Sequence, residues 1–438
     1  MKKILSTLFT FFLVTQLSAQ SLYFPPITGN TWDTISPASM GWCQQEIDTL
    51  VDYLGQINTK AFILLKDGKI VMEEYFGTFT QDSLWYWASA GKSLTGFTVG
   101  IAQQEGLLSL DDTSATYLGQ GWTDSPPAKE EMITIRHQLS MTSGLDDGVP
   151  DHHCTLDTCL QYLADAGTRW AYHNAPYTLL DEVIAEATGL SLNAYINQKI
   201  KVPTGMTGLF VPQGYNNLFV SNARSMARFG LLVLNRGNWN GNQIMTDQNY
   251  FDQMVNTSQN FNLSYGYLWW LNGKPSFMVP GLQFSFPGSM NPNAPADMIA
   301  AMGKNAQFIN VVPSMNLVFI RMGNAPDASE VPFLFNDSIW IHLNAAMCNV
   351  TANPKKNAQA SFSFYPNPSS ETLWVEGINH LEWLNILSVN GRLLQSQRGG
   401  ADRIMLNTEG FSPGLYFIQK TDDAGKILDV QKLIIKRE

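Results

Sequence analysis

The chain has 438 residues, 45% of them hydrophobic and 15% charged, with a net charge of −10. Charge falls below the ~25% usual for soluble proteins, and 12 Trp, 15 Tyr and 24 Phe are present, so the composition excludes a disordered chain. The negative balance argues against a polyanion-binding protein, and the length predicts more than one domain.

Taken in chain order, the first element is an export signal. Lys2 and Lys3 precede a mostly apolar run at 4–17, too short for a mature membrane span, and Leu17-Ser18-Ala19 offers small residues for cleavage. We expect a signal peptide over 1–19, and no other segment is long and apolar enough to be transmembrane. Residues 41–57 predict an amphipathic helix with Ile47, Leu50, Val51 and Leu54 on one face. Residues 61–76 predict a hairpin turning at Asp67-Gly68. A helix should start near Ser89 and run to about Gln104, with Gly106 ending it. Residues 110–260 carry mainly helical signals, clearest at 181–188 and 223–235, between polar loops. Strand-like runs follow at 265–271, 306–312 and 317–322, then a helix at 338–347. This order predicts an α+β domain over 20–350 interrupted by a mostly helical insertion. Residues 351–361 are small, polar and Pro-containing, as in a linker. Residues 362–438 read as a small all-β module, with turn signals at Asn390-Gly391, Gly399-Gly400 and Pro413-Gly414.

An export signal implies an oxidising compartment for Cys43, Cys154, Cys159 and Cys348. Three pairings are possible. The reading favours Cys154–Cys159, which closes a short loop, and Cys43–Cys348, which staples the ends of one domain. Asp151-His152-His153-Cys154 contains metal-ligand residue types. Adjacent histidines rarely share one structural zinc, however, and no second Cys-x-x-Cys pair follows. No metal or cofactor is expected.

Chemistry is suggested by Ser89-Ala90-Gly91-Lys92. A serine hydroxyl needs a base within hydrogen-bond reach, and on a helix positions i and i+3 share a face. Such a motif is common on solvated helices, where the serine is an N-cap and the lysine a surface charge. Here Trp85, Tyr86 and Trp87 precede it and Leu94, Phe97 and Ile101 continue an apolar face, which predicts a buried helix and a partly buried Lys92. The second element is Tyr172-His173-Asn174. A phenol near a cation can shuttle a proton, and Asn174 can orient the lysine or bind a substrate carbonyl. His173 reads as a spacer turned away from its two neighbours.

These stretches resemble the penicillin-recognising serine hydrolases, in their class C β-lactamase-like branch. Further matches in the same order are Ile133-Thr134-Ile135-Arg136-His137-Gln138-Leu139, Thr142-Ser143-Gly144-Leu145, Ala223-Arg224-Ser225-Met226-Ala227-Arg228-Phe229-Gly230 and Tyr265-Gly266-Tyr267-Leu268-Trp269-Trp270. The resemblance covers about residues 40–345. It implies a β-lactamase/transpeptidase-like antiparallel sheet flanked by helices, with Ser89 as acylated nucleophile, Lys92 as its base and Tyr172 as proton shuttle. The family's third motif, Lys-Thr-Gly or His-x-Gly, aligns best with Ala301-Met302-Gly303, where Ala301 replaces the basic residue. In that register the Lys304 N–H joins that of Ser89 in an oxyanion hole. A rival register uses Lys304-Asn305-Ala306. Gly303-Lys304-Asn305-Ala306-Gln307 is similar to the Gly-x-x-x-Gln form of 6-aminohexanoate oligomer hydrolases and related esterases.

Phe364-Tyr365-Pro366-Asn367-Pro368, the 386–392 run and Pro413-Gly414-Leu415-Tyr416-Phe417 resemble the type IX secretion sorting domain of Bacteroidetes. Lys432, Lys436 and Arg437 fit its basic end, and the alternative is an unrelated carbohydrate-binding β-sandwich. The expectation is a secreted or surface-attached serine hydrolase acting on an ester or amide, with the type IX machinery as partner and no nucleic acid. The alternatives are β-lactamase or D-amino-acid peptidase activity, or a catalytically silent peptidoglycan- or peptide-binding protein.

Overall fold

The computed structural model describes residues 22–325, 331–348, 362–388, 393–400, 403–423, 425 and 427–436. The expected signal peptide at 1–19, the linker at 351–361 and the turn at Asn390-Gly391 lie outside them. Among the described residues, no helix is long and apolar enough to cross a membrane.

The frame is a six-stranded antiparallel sheet. Its strands are β1 (Thr59–Lys66), β2 (Lys69–Tyr75), β3 (Trp270–Leu271), β4 (Ile299–Gly303), β5 (Gln307–Val312) and β6 (Leu317–Gly323). Their spatial order is β2-β1-β6-β5-β4-β3. The β1–β2 turn is local chemistry: Asp67 and Gly68 take φ of +52° and +81°, the pair of left-handed residues that a two-residue hairpin needs. Every residue of β5 and β6 is buried, because helices cover both faces. Four helices matter here: α1 (Gln44–Gln56), α2 (Gly91–Gln104), α3 (Ala223–Leu234) and α4 (Phe333–Ala346).

Neighbouring residues of β6 point to opposite faces, and each meets a different layer. Phe319 packs on Trp340 of α4, with ring centroids 5.5 Å apart. Val318 faces α3, where a Cβ added to Gly230 would lie 2.6 Å from its Cγ1, so only glycine allows that approach. Helix α1 buries Ile47, Leu50 and Leu54, each stabilising the fold by about 1.5–3 kcal/mol. It joins α4 through the stacked rings of Tyr53 and His342 (4.1 Å). Cys43 is disulfide-bonded to Cys348 at the far end of α4, with Cα atoms 5.7 Å apart. On the other face Phe97 of α2 meets Phe229 of α3 edge-on at 5.8 Å.

Helix α2 is not amphipathic. Residues 91–102 are all buried, so it is a core helix with packing on every side. Three expectations need correction. The 265–271 run is not one strand: Gly266 N–H bonds Trp269 O (2.9 Å) and Leu268 takes φ +60°, making a tight turn before β3. The region 110–260 also contains a strand pair, Leu209–Gln213 and Asn216–Ser221, to which Trp85–Tyr86 adds a third strand. The last helix starts five residues before its expected position, at Phe333. Residues 363–435 form one three-stranded and one four-stranded antiparallel sheet. Alternating residues such as Leu373, Val375, Ile404 and Leu406 supply their core.

Candidate active site

A short edge strand delivers Ser89. Trp85 and Tyr86 pair with Ser221 and Val220. The Trp87 amide donates to Phe219 O and its indole to Ser221 Oγ, both at 2.8 Å. Ala88 then adopts φ +47°, an uncommon region for a residue with a side chain. The chain passes through the 3-10 turn Ala88–Ala90 directly into α2. Ser89 therefore stands, partly exposed, at the N-terminal end of α2, where the helix dipole favours negative charge.

Lys92 lies one turn further on and is 5% exposed. Its Nζ donates a hydrogen bond to Ser89 Oγ (3.0 Å). The same nitrogen is 4.3 Å from the ring centroid of Tyr177 and 5.3 Å from that of Tyr172. Tyr172 is buried, stacks on Trp270 (5.7 Å) and meets Tyr265 edge-on (6.2 Å). Trp170 completes this aromatic wall, 5.5 Å from Tyr265. Asn174 is buried at the start of the helix Asn174–Thr178, two residues past Tyr172.

The end of β4 closes the other side. A Cβ on Gly303 would lie 2.5 Å from Trp87 O and 2.9 Å from the backbone nitrogens of Ser89 and Ala90. Gly303 thus abuts the backbone of Ser89, while Ala306, of the rival register, is fully buried. Ala301 is buried beneath it, and Lys304 is exposed at the start of the turn Lys304–Ala306. Asn305 and Ala306 take φ of +61° and +59° there. Gln307 holds this turn: its amide donates to Gly323 O (2.6 Å) and Asn305 O (3.0 Å) and accepts from Gly323 N–H (3.0 Å). Fully buried Arg321 donates to Ala306 O (2.9 Å), Ile57 O (2.9 Å) and Thr59 Oγ1 (3.0 Å).

His173 is buried, with the charges of Asp147, His152, Asp146 and Arg169 acting on it, and burial pushes its pKa down to about 4. Cys154 and Cys159 are joined, with Cα atoms 5.9 Å apart, so the Cys154 sulfur is engaged. Among the described residues no group of three His, Cys, Asp or Glu is arranged to hold a metal ion. Behind Tyr177 sits Asp181, whose Oδ2 accepts from Asn217 Nδ2 (2.6 Å). Burial raises the Asp181 pKa to about 7. Sequence reasoning missed Tyr177, Asp181 and Arg321, and saw in Gln307 only a motif letter. The nearest available signal was helical spacing, which sets Tyr177 and Asp181 four residues apart.

A lysine bonded to a serine at the mouth of a buried helix, beside a sheet strand ending in glycine, marks the serine hydrolase superfamily. Residues 47–332 match the Beta-lactamase family, and the chain belongs to it. Residues 363–436 match the secretion system C-terminal sorting domain. An uncharacterized protein of Alkalihalophilus pseudofirmus is 27% identical over 305 residues, 61% of this chain and 84% of that protein. Protein flp of Staphylococcus aureus is 26% identical over 40% of this chain, and the chain spans only 39% of its length. Among solved structures, a β-lactamase homologue from Bacteroides dorei superposes with a TM-score of 0.56 at 18% identity, over 70% of this chain and 99% of that one. A candidate 6-aminohexanoate-dimer hydrolase from Bacillus anthracis gives 0.53 at 19% identity, over 75% and 88%. These likenesses show a shared fold.

Proposed function

We propose that the protein is a secreted serine hydrolase that cleaves an ester or amide bond through an acyl-enzyme on Ser89. The observation that carries this reading is the 3.0 Å contact between Lys92 Nζ and Ser89 Oγ inside an aromatic, nearly dry setting. As a neutral amine, Lys92 can take the serine proton as Oγ attacks the carbonyl carbon. The carbonyl oxygen becomes an oxyanion, held by the N–H groups of Ser89 and Lys304. Tyr172 passes the proton to the departing alcohol or amine, with Asn174 orienting the substrate. Water then attacks the acyl carbon, and Ser89 recovers its proton. Ala301 leaves the sheet without the family's basic side chain. An anionic β-lactam thereby loses a contact worth about 1.5–3 kcal/mol, so esters and amides fit better than β-lactams. The match of residues 363–436 to a sorting domain supports export through the type IX machinery.

The test is a panel of p-nitrophenyl esters, nitrocefin, D-amino-acid amides and linear amide oligomers, assayed with wild type and Ser89→Ala. Turnover of esters or amides that vanishes in folded Ser89→Ala is expected. Turnover retained by Ser89→Ala refutes the nucleophile.

A further inference from the structure

The turn Lys304–Ala306 joins β4 to β5, and its shape is not one the chain adopts unaided. Asn305 and Ala306 take φ of +61° and +59°, where a Cβ crowds the carbonyl that follows. The sheet imposes this shape through the turn's carbonyls. Gln307 Nε2 donates to Asn305 O (3.0 Å), and Arg321 Nη1 donates to Ala306 O (2.9 Å). Those bonds fix the turn to β5 and β6. They do not fix it to Ser89, which arrives on a different element.

Two other contacts do. On one side of Lys304, the space for a Cβ on Gly303 lies 2.9 Å from the backbone nitrogens of Ser89 and Ala90, so the end of β4 abuts the nucleophile's backbone. On the other side, Asn305 Nδ2 donates to Tyr86 Oη (2.7 Å). Tyr86 stands three residues before Ser89 and pairs with Val220 of the strand Asn216–Ser221. The next residue, Trp87, donates its amide to Phe219 O (2.8 Å), so the phenol is carried on a strand held at successive residues. Both neighbours of Lys304 are thus tied to the segment that delivers Ser89. The oxyanion donors named above are the N–H groups of Ser89 and Lys304, and these two ties set the distance between them. Gly303 acts by close approach; Tyr86 and Asn305 act through a hydrogen bond that single substitutions can remove.

We propose that Tyr86 and Asn305 are positioning residues, a clasp that holds the Lys304 N–H in register with the Ser89 N–H. This rests on the acyl-enzyme reading of Ser89. The clasp acts through the backbone on the carbonyl oxygen, which esters and amides share, so its loss slows both alike and leaves substrate choice unchanged.

The experiment measures kcat, KM and melting temperature for Tyr86→Phe, Asn305→Gly and the double variant, on one ester and one amide that wild type turns over and Ser89→Ala does not. Tyr86→Phe removes one oxygen and keeps the ring. Its kcat should fall about tenfold on both substrates with KM within about twofold, a part of the hundred- to thousandfold lost when a donor is removed outright. Asn305→Gly should lose activity to the same degree yet melt at or close to the wild-type temperature, because glycine takes a positive φ freely. The double variant should be no slower than either single one, since all three lack the same bond. Unchanged kcat in Tyr86→Phe, a rise in KM alone, losses that multiply in the double variant, or a melting temperature of Asn305→Gly that falls along with kcat overturns the clasp while leaving the nucleophile in place. Absence of ester and amide turnover by wild type contradicts the acyl-enzyme reading itself, and the clasp falls with it.

Discussion

Gly303 brings the end of a core strand into contact with the nucleophile's own backbone. A methyl group there would sit 2.5 Å from Trp87 O, and backbone on both sides leaves it nowhere to go. Gly303→Ala should lower kcat/KM by at least about a hundredfold, as expected for a displaced oxyanion donor, while circular dichroism stays native; unchanged kinetics would separate Gly303 from the site. Asp181 behaves differently. Both its Oδ1 and Asn217 Oδ1 are buried without partners. A protonated carboxyl could donate to that amide oxygen, and its pKa near 7 agrees. The folded state binds this proton more tightly than the unfolded chain, so stability is lost as pH rises from about 4 through 7. Asp181→Asn, which mimics the neutral acid, should be more stable than wild type at pH 8 by about 2–4 kcal/mol. Urea unfolding should show that gap closing toward pH 4, and a gap independent of pH would refute the assignment. His173 has the opposite sign: with a folded pKa of about 4, its contribution is complete above pH 6.5 and is lost as pH falls toward 4.

Helix α2 shows how an element can be legible in part. Trp and Tyr before Ser89 and the apolar residues after Lys92 pointed to a buried helix, and it is buried on every side. Its glycines carry information that no local pattern reveals. A Cβ on Gly100 would lie 2.3 Å from the Tyr250 ring, itself anchored by donation from its hydroxyl to Gly96 O (2.5 Å). Alanine's helix propensity gains about 1 kcal/mol, but overpacking costs about 1–3. Gly100→Ala should therefore destabilise the protein, and a raised melting temperature would show that Tyr250 can move aside. The β1–β2 hairpin was readable because Asp67-Gly68 sets its turn locally. The 265–271 run misled because its apolar residues imitate a strand. Its turn is held from outside, by Ser93 Oγ donating to Leu268 O (2.6 Å) and by the Leu268 amide bonding Leu139 O (3.1 Å). In the same way Ser89 and Lys92 stood out by their spacing, and Tyr172 by the family resemblance of its stretch. Arg321 and Gln307 did not, because their partners, such as Thr59 and Gly323, lie far along the chain or across strands.

Across the whole molecule, the Cys43–Cys348 bond joins positions 305 residues apart. It closes the α1–α4 layer on the face of the sheet opposite α2 and α3. Replacing both cysteines by serine should lower stability by about 2–5 kcal/mol while kcat stays close to wild type; a large loss of kcat with native stability would contradict this separation. The C-terminal sheets touch the hydrolase region where Phe417 meets Phe286, with ring centroids 4.8 Å apart. Deleting 362–438 should leave kcat/KM within about threefold, cost modest stability at that contact, and prevent export, as fractionation of cells and medium would reveal. Loss of activity in the purified truncated protein would contradict the division of labour.

The central claim is that Ser89 is an activated nucleophile. Its most direct test is intact-mass spectrometry after exposure to a fluorophosphonate, with the modified residue located by peptide sequencing. The account predicts one adduct per chain on Ser89, formed orders of magnitude more slowly in Lys92→Ala. A folded wild-type protein that takes no adduct, or takes it on another residue, would contradict it.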